Sequence, residues 1–211
     1  VKVVTLNEIY NEFSSGNVDI TAIRNLVRYV YHNASAPDKR LKYLCLFGDA
    51  SYDHKERIAP KTDVVPSWHS YASFSLTDSF VSDDYYGLMD ENEGNMATNN
   101  LLDIAVGRIL AQDLQSATEL VDKIDSYHKT ASFGSWRNNY IFISDDVDEA
   151  WERTLQETTD EIADLITEEK PFINTIKIHS DSYQQESSSS GDSNPSVNRA
   201  IRDAIDVGAL V

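Results

Sequence analysis

Carboxylates crowd two short stretches of this sequence. The sharper one is Ser144-Asp145-Asp146-Val147-Asp148-Glu149, directly after the apolar run Tyr140-Ile141-Phe142-Ile143. At the carboxyl end of a strand in an open α/β sheet, where ligands bind, paired carboxylates can orient a histidine, hold a metal ion or accept a phosphoryl group. The same residues suit the N-terminus of a helix beginning near Glu149, where the partial positive charge favours acids. The second stretch, Ser82 to Gly94, offers Asp83, Asp84, Asp90, Glu91 and Glu93. Oxygen-rich turns suit calcium, so these five are the candidate ligands of a weakly held calcium ion, the one cofactor the residues suggest. Their spacing does not match the helix–loop–helix calcium pattern, and a solvated hairpin turn accounts for them better.

Nucleophiles are scarce. Cys45 is the sole cysteine, which excludes an intrachain disulfide and a cysteine metal cluster. Set in Leu44-Cys45-Leu46-Phe47, it reads as a small buried hydrophobe. The histidines at 32, 54, 69, 128 and 179 have no metal-ligand spacing and no evident partner, and His179, which follows a strand-like run, is the best placed. Trp68, Tyr71, Phe74 and Phe80 either line a peptide cleft or bury the long loop that carries them.

The 211 residues include 35 acidic and 18 basic ones, a formal charge of −17. Such a surface repels phosphate backbones and anionic lipid and attracts divalent cations and basic peptides, and it also serves solubility alone. No apolar run approaches the roughly 18 residues that a membrane helix needs.

The elements that must position these residues follow an α/β rhythm. The pattern predicts a strand at Val1–Leu6, a helix from an Asp19 cap with Ile20, Ile23, Val27, Val30 and Tyr31 on its buried face, and a strand at Leu41–Phe47 buried on both sides. Strands at Val81–Leu88 and Asp103–Ile109 precede a helix from Gln112 to His128, with Leu114, Ala117, Val121 and Ile124 on one face. A boundary at 131–138 separates two subdomains, 1–134 and 135–211. The rhythm then restarts with a strand at Asn139–Ser144, a helix at Glu149–Thr167 and a strand at Phe172–Ile178. Gln184–Pro195 reads as a low-complexity mobile loop. The last helix gathers Val197, Ile201, Ala204 and Ile205, Gly208 stops it, and Ala209-Leu210-Val211 opens a further strand. Alternating strands and amphipathic helices mean an α/β fold with largely parallel sheets.

In that order, four blocks resemble the gingipain-like (C25) cysteine peptidases, and within them the PorU-type sortase branch of type IX secretion. They are Ile9–Gly16, Leu44-Cys45-Leu46-Phe47-Gly48-Asp49-Ala50-Ser51-Tyr52-Asp53, Ser82-Asp83-Asp84-Tyr85-Tyr86-Gly87-Leu88 and Asp103-Ile104-Ala105-Val106-Gly107-Arg108-Ile109. The resemblance implies a caspase-like fold of two α/β subdomains. It also implies a cysteine–histidine dyad after strands of the second subdomain, beyond the end of this chain, so that this piece alone would be inactive. Asp146 aligns with the family's acidic residue that contacts the catalytic histidine, and Asp145 is its nearest competitor. Leu155 stands where arginine-specific members carry an aspartate, which argues against arginine selectivity. The implied partners are secreted cargo with C-terminal signals and type IX secretion components, at the outside of a bacterial outer membrane. Two other readings remain: a non-catalytic acidic module for calcium or a peptide, and a receiver-like phosphoacceptor domain.

Overall fold

The computed structural model describes residues 1–55, 57–72, 74–97, 99–188 and 191–211. The chain divides into two compact units, Val1–Asp125 and Ser126–Val211.

The first unit begins with a helix, not the expected strand. Thr5 and Glu8 form a reciprocal cap, Thr5 N donating to Glu8 Oε2 at 2.8 Å and Glu8 N to Thr5 Oγ1 at 3.4 Å. That pairing starts α1 (Leu6–Phe13), whose Ile9 and Tyr10 are buried. A valine-rich lead-in looked like a strand, but a capping box followed by apolar residues at helical spacing outweighs propensity. α2 (Ile20–His32) starts at the expected cap, Asp19 Oδ1 accepting from Thr21 N at 2.7 Å.

β1 (Tyr43–Phe47) pairs in parallel with β4 (Ala105–Ile109), from Tyr43↔Ala105 to Phe47↔Ile109. One face of β1 is covered: Leu46 is buried and Leu44 packs with it against the α1–α2 core of Ile9, Ile23, Tyr85 and Tyr86. Burying each such side chain contributes about 1.5–3 kcal/mol. Successive strand residues point to opposite faces, and the other face is open, with Tyr43 77% and Phe47 46% exposed. Cys45 lies on that open face and is exposed. The expectation of a strand buried on both sides with a core cysteine is therefore corrected.

Nor does α3 (Leu114–His128) bury its stripe, since it contains no buried residue and Leu114, Val121 and Ile124 are all exposed. The predicted strand Val81–Leu88 resolves into a two-residue strand and a tight turn. β2 (Trp68–His69) pairs antiparallel with β3 (Val81–Ser82), and a 3₁₀ turn at Asp84–Gly87 then buries Tyr85 and Tyr86. Two adjacent buried tyrosines need a helical turn, because a strand would send one of them outward.

In the second unit β5 (Asn139–Ser144) pairs in parallel with β6 (Asn174–His179), in register from Asn139↔Asn174 to Ser144↔His179. The face carrying Thr175, Lys177 and His179 meets α4 (Arg153–Glu169): Thr175 bonds Thr167 and Lys177 bonds Asp160 and Asp164. The face carrying Ile141, Ile176 and Ile178 meets Val197, Ile201 and Ala204 of α5 (Pro195–Val207). Ile205, expected in that cluster, is exposed. Gly208 ends α5 at φ +92°, a left-handed conformation in which its Cα lies close against Trp136. Beyond it the backbone joins β5: Leu210 N donates to Asn139 O at 2.9 Å and Ile141 N to Val211 O at 2.8 Å. The stretch expected to be a mobile loop folds in part as a hairpin of β7 (Glu186–Ser188) and β8 (Gly191–Ser193), while Ser189 and Ser190 lie outside the described residues. No helix among the described residues is long and apolar enough to cross a membrane.

The two parallel pairs with helices beside them make this an α/β fold of the caspase-like kind, the architecture expected from the sequence.

Candidate active site

Arg108 draws Asp83 out of the Ser82–Gly94 stretch. On β4, an apolar strand, its guanidinium is 9% exposed and grips Asp83 with two bonds, Nε to Oδ2 at 2.7 Å and Nη2 to Oδ1 at 2.6 Å. Its Nη1 donates to Gly48 O and Val65 O, both at 2.7 Å. Ser67 Oγ adds a bond to Asp83 at 2.8 Å, and Tyr86 donates to Pro66 O at 2.5 Å. Burial, the largest influence on Asp83, pushes its carboxyl up, but the bonds from Arg108 and Ser67 and the charge of Arg108 bring it below the usual range. Gly48 must be a glycine here: a Cβ would stand 2.7 Å from Val65 Cγ2 and 2.8 Å from Val64 Cγ1. Both Asp83 oxygens are thus engaged within the fold, which sets Asp83 apart from the other four carboxylates of the calcium set.

The remaining members of that set separate. Asp84 and Glu91 are exposed. Asp90 and Glu93 come together with Asp103, a residue the sequence reading left out, and one oxygen from each lies within 4.8 Å of the others. Two of these carboxylates already accept backbone bonds, Asp103 from Met89 N at 2.8 Å and Glu93 from Asp90 N at 2.9 Å. The charge would suit calcium, but among the described residues three side chains converge, offering one oxygen each, where that ion takes six to eight oxygens.

The Ser144–Glu149 stretch leaves the end of β5 and stays near solvent. Asp145 Oδ1 accepts from Asp146 N at 3.1 Å, and Gln185 Nε2 donates to Asp146 Oδ2 at 3.3 Å. The neighbouring Asp145 carboxyl, hydrogen-bonded to Asp146, holds the Asp146 carboxyl above the usual range, with Asp148 adding to the effect. Neither aspartate caps α4. That helix begins at Arg153, and the amides of Asp148 and Glu149 are satisfied by Glu152 Oε2 at 2.9 and 2.8 Å. The helix-cap explanation of Asp145 and Asp146 therefore fails on geometry.

His179, expected to lack a partner, has one: its Nδ1 lies 2.5 Å from Ser144 Oγ. The signal was available only through the register, because equal strand lengths set Ser144 opposite His179. Arg108 was legible in principle, since a cation inside Ala-Val-Gly-Arg-Ile must find a carboxylate. Trp68 packs its ring near those of Tyr71 and Phe80, so part of the aromatic loop buries itself, while Phe74 is fully exposed. Leu155 is exposed in the first turn of α4.

A family model, peptidase family C25, matches residues 1–211. The chain belongs to family C25. This is a family of gingipain-like cysteine peptidases, so a peptidase-related function and a protein or peptide substrate follow for the C25 chain. No curated protein and no solved structure gives a significant match. Within this C25 chain, Cys45 sits in the first unit on an open strand face and no hydrogen bond to its sulfur occurs among the described residues.

Proposed function

We propose that this C25 chain is part of a bacterial cysteine endopeptidase of the PorU sortase type, which removes C-terminal signals from type IX cargo on the outer face of the outer membrane. In this reading the nucleophile and the general base come from sequence beyond the chain, and Asp146 orients the histidine base. One observation supports the orienting role: Asp146 follows the end of β5 with no lysine or arginine paired to it among the described residues, and residues 210–211 hydrogen-bond along that strand. A carboxylate there fixes the ring tautomer and stabilises the imidazolium that pairs with a thiolate. Exposed Leu155, in place of a carboxylate, supports a specificity other than arginine.

The test is acylation of the full-length protein by a peptide substrate. Asp146→Asn is expected to lower the acylation rate about tenfold to a thousandfold without changing the fold, and Asp145→Asn less. If only Asp145→Asn matters, the two residues exchange roles; if neither does, the orienting role is lost.

A second reading, a non-catalytic acidic module, is favoured by the convergence of Asp90, Glu93 and Asp103. Catalytic turnover by the full-length protein would set it aside.

A further inference from the structure

The turn that carries Asp146 is anchored through the residue just before it. Ser144, the last residue of β5, is 8% exposed, and its Oγ meets Nδ1 of His179, the last residue of β6, at 2.5 Å. The other ring nitrogen, Nε2, is buried and lies 3.3 Å from Asp160 Oδ1 on α4, within reach of charge attraction but too misaligned for a hydrogen bond. Asp160 is in turn held by Lys177 Nζ at 2.6 Å, and Lys177 reaches Asp164 at 2.5 Å. The imidazole therefore bridges the end of β5 and this ion-pair group on α4.

We infer that His179 is a positioning residue for the Asp146 site, fixing the end of β5 against β6 and α4 so that the Asp145–Asp146 turn leaves the sheet in one direction. This rests on the orienting role given to Asp146 above. The chemistry of the ring suits the task. As neutral imidazole, Nδ1 accepts from the Ser144 hydroxyl while Nε2–H faces Asp160. As imidazolium, both nitrogens donate, Ser144 Oγ becomes the acceptor, and the attraction to Asp160 grows. The contact to Ser144 survives either state. The charged groups facing the ring are Asp160 from α4, with Asp164 one step further through Lys177, and Lys177 from its own strand, while β5 presents the neutral Ser144.

Serine, histidine and aspartate in contact are also the residue types of a hydrolytic triad. Two observations oppose that use. Ser144 is almost fully buried, and the carboxylates of Asp145, Asp146 and Asp148 follow it directly, where an oxyanion would need donors.

The experiment measures peptide hydrolysis by the full-length protein carrying His179→Leu, His179→Asn, Ser144→Ala and Asp146→Asn, singly and with His179→Leu combined with Asp146→Asn. Positioning predicts that His179→Leu lowers kcat about tenfold at unchanged KM, and that Ser144→Ala does nearly the same. His179→Asn, which keeps a polar atom near the Nδ1 position, recovers most of the loss. In the double variant kcat falls no further than in Asp146→Asn alone, because a misplaced carboxylate and a missing one are equivalent. If Asp146→Asn impairs kcat while His179→Leu and Ser144→Ala do not, or if the two losses multiply, the positioning role is overturned and the Asp146 reading stands. If Asp146→Asn is silent, that reading fails and takes the positioning role with it. Labelling of Ser144 by a fluorophosphonate would overturn positioning in favour of a nucleophile. Should His179→Leu fail to fold, Ser144→Ala and His179→Asn decide on their own.

Discussion

Ser-Asp-Asp occurs twice, as Ser82-Asp83-Asp84 and as Ser144-Asp145-Asp146, each beside a short strand. In the first, Asp83 receives two bonds from Arg108 and one from Ser67 and its carboxyl is pulled below the usual range. In the second, no arginine or lysine approaches among the described residues, and the Asp145 carboxyl pushes that of Asp146 up. The same three residues are a structural joint in one place and an uncompensated charge in the other. What decides is whether a neighbouring strand supplies a cation, a fact of topology and not of the triplet. An uncompensated carboxylate pair costs stability, and such costs gather where function requires them.

The comparison breaks most visibly at Arg108. Arg108→Met leaves the Asp83 carboxylate without its partner and frees the carbonyls of Gly48 and Val65, and urea unfolding should register a loss of about 3 kcal/mol. A loss below about 1 kcal/mol would reduce the joint to an ordinary surface pair. The next test sets the two aspartates against each other. Asp83→Asn should lower stability by about 2 kcal/mol, whereas Asp146→Asn should raise it, by a smaller amount.

The signs with pH are also opposite. Asp83 has a depressed folded value, so its contribution is present above its unfolded value near 3.8 and is lost as pH falls through the lower folded value. Asp146 has a raised folded value, so stability falls as pH rises from about 3.8 through that value. Removing each titration in turn from the pH–stability curve checks both signs, and matching signs would end the distinction. The smallest effect belongs to the cluster of Asp90, Glu93 and Asp103. With two members already engaged by backbone amides, calorimetry should find calcium binding no tighter than about 10⁻⁴ M, and a micromolar site would show that backbone oxygens complete the shell.

The α/β rhythm was legible because apolar periodicity reports it directly: β5 begins and ends at the predicted residues, and Asp19 caps α2. Errors fell where local signals compete. The capping box at Thr5 and Glu8 outweighed a valine-rich run, and Tyr85-Tyr86 mimicked a strand while filling a 3₁₀ turn. Cys45 was misjudged because a continuous apolar run cannot say how many of its faces are covered. At the candidate site the carboxylates were visible, but Ser144–His179 and Arg108–Asp83 join residues 35 and 25 apart, the first through the β5–β6 register and the second through the turn after β3.

Arg108 joins the carbonyls of Gly48 and Val65 and the carboxylate of Asp83, residues 60, 43 and 25 positions away. None of these bonds can form until long stretches of chain have closed, and closing them costs entropy before any bond is gained. The guanidinium is therefore expected to enter its place late in folding, after β1 and β4 are paired. An interaction absent from the transition state governs how fast the native state is lost, not how fast it is reached. Arg108→Met is thus expected to speed unfolding of the first unit more than it slows folding, which the two arms of its folding kinetics would show.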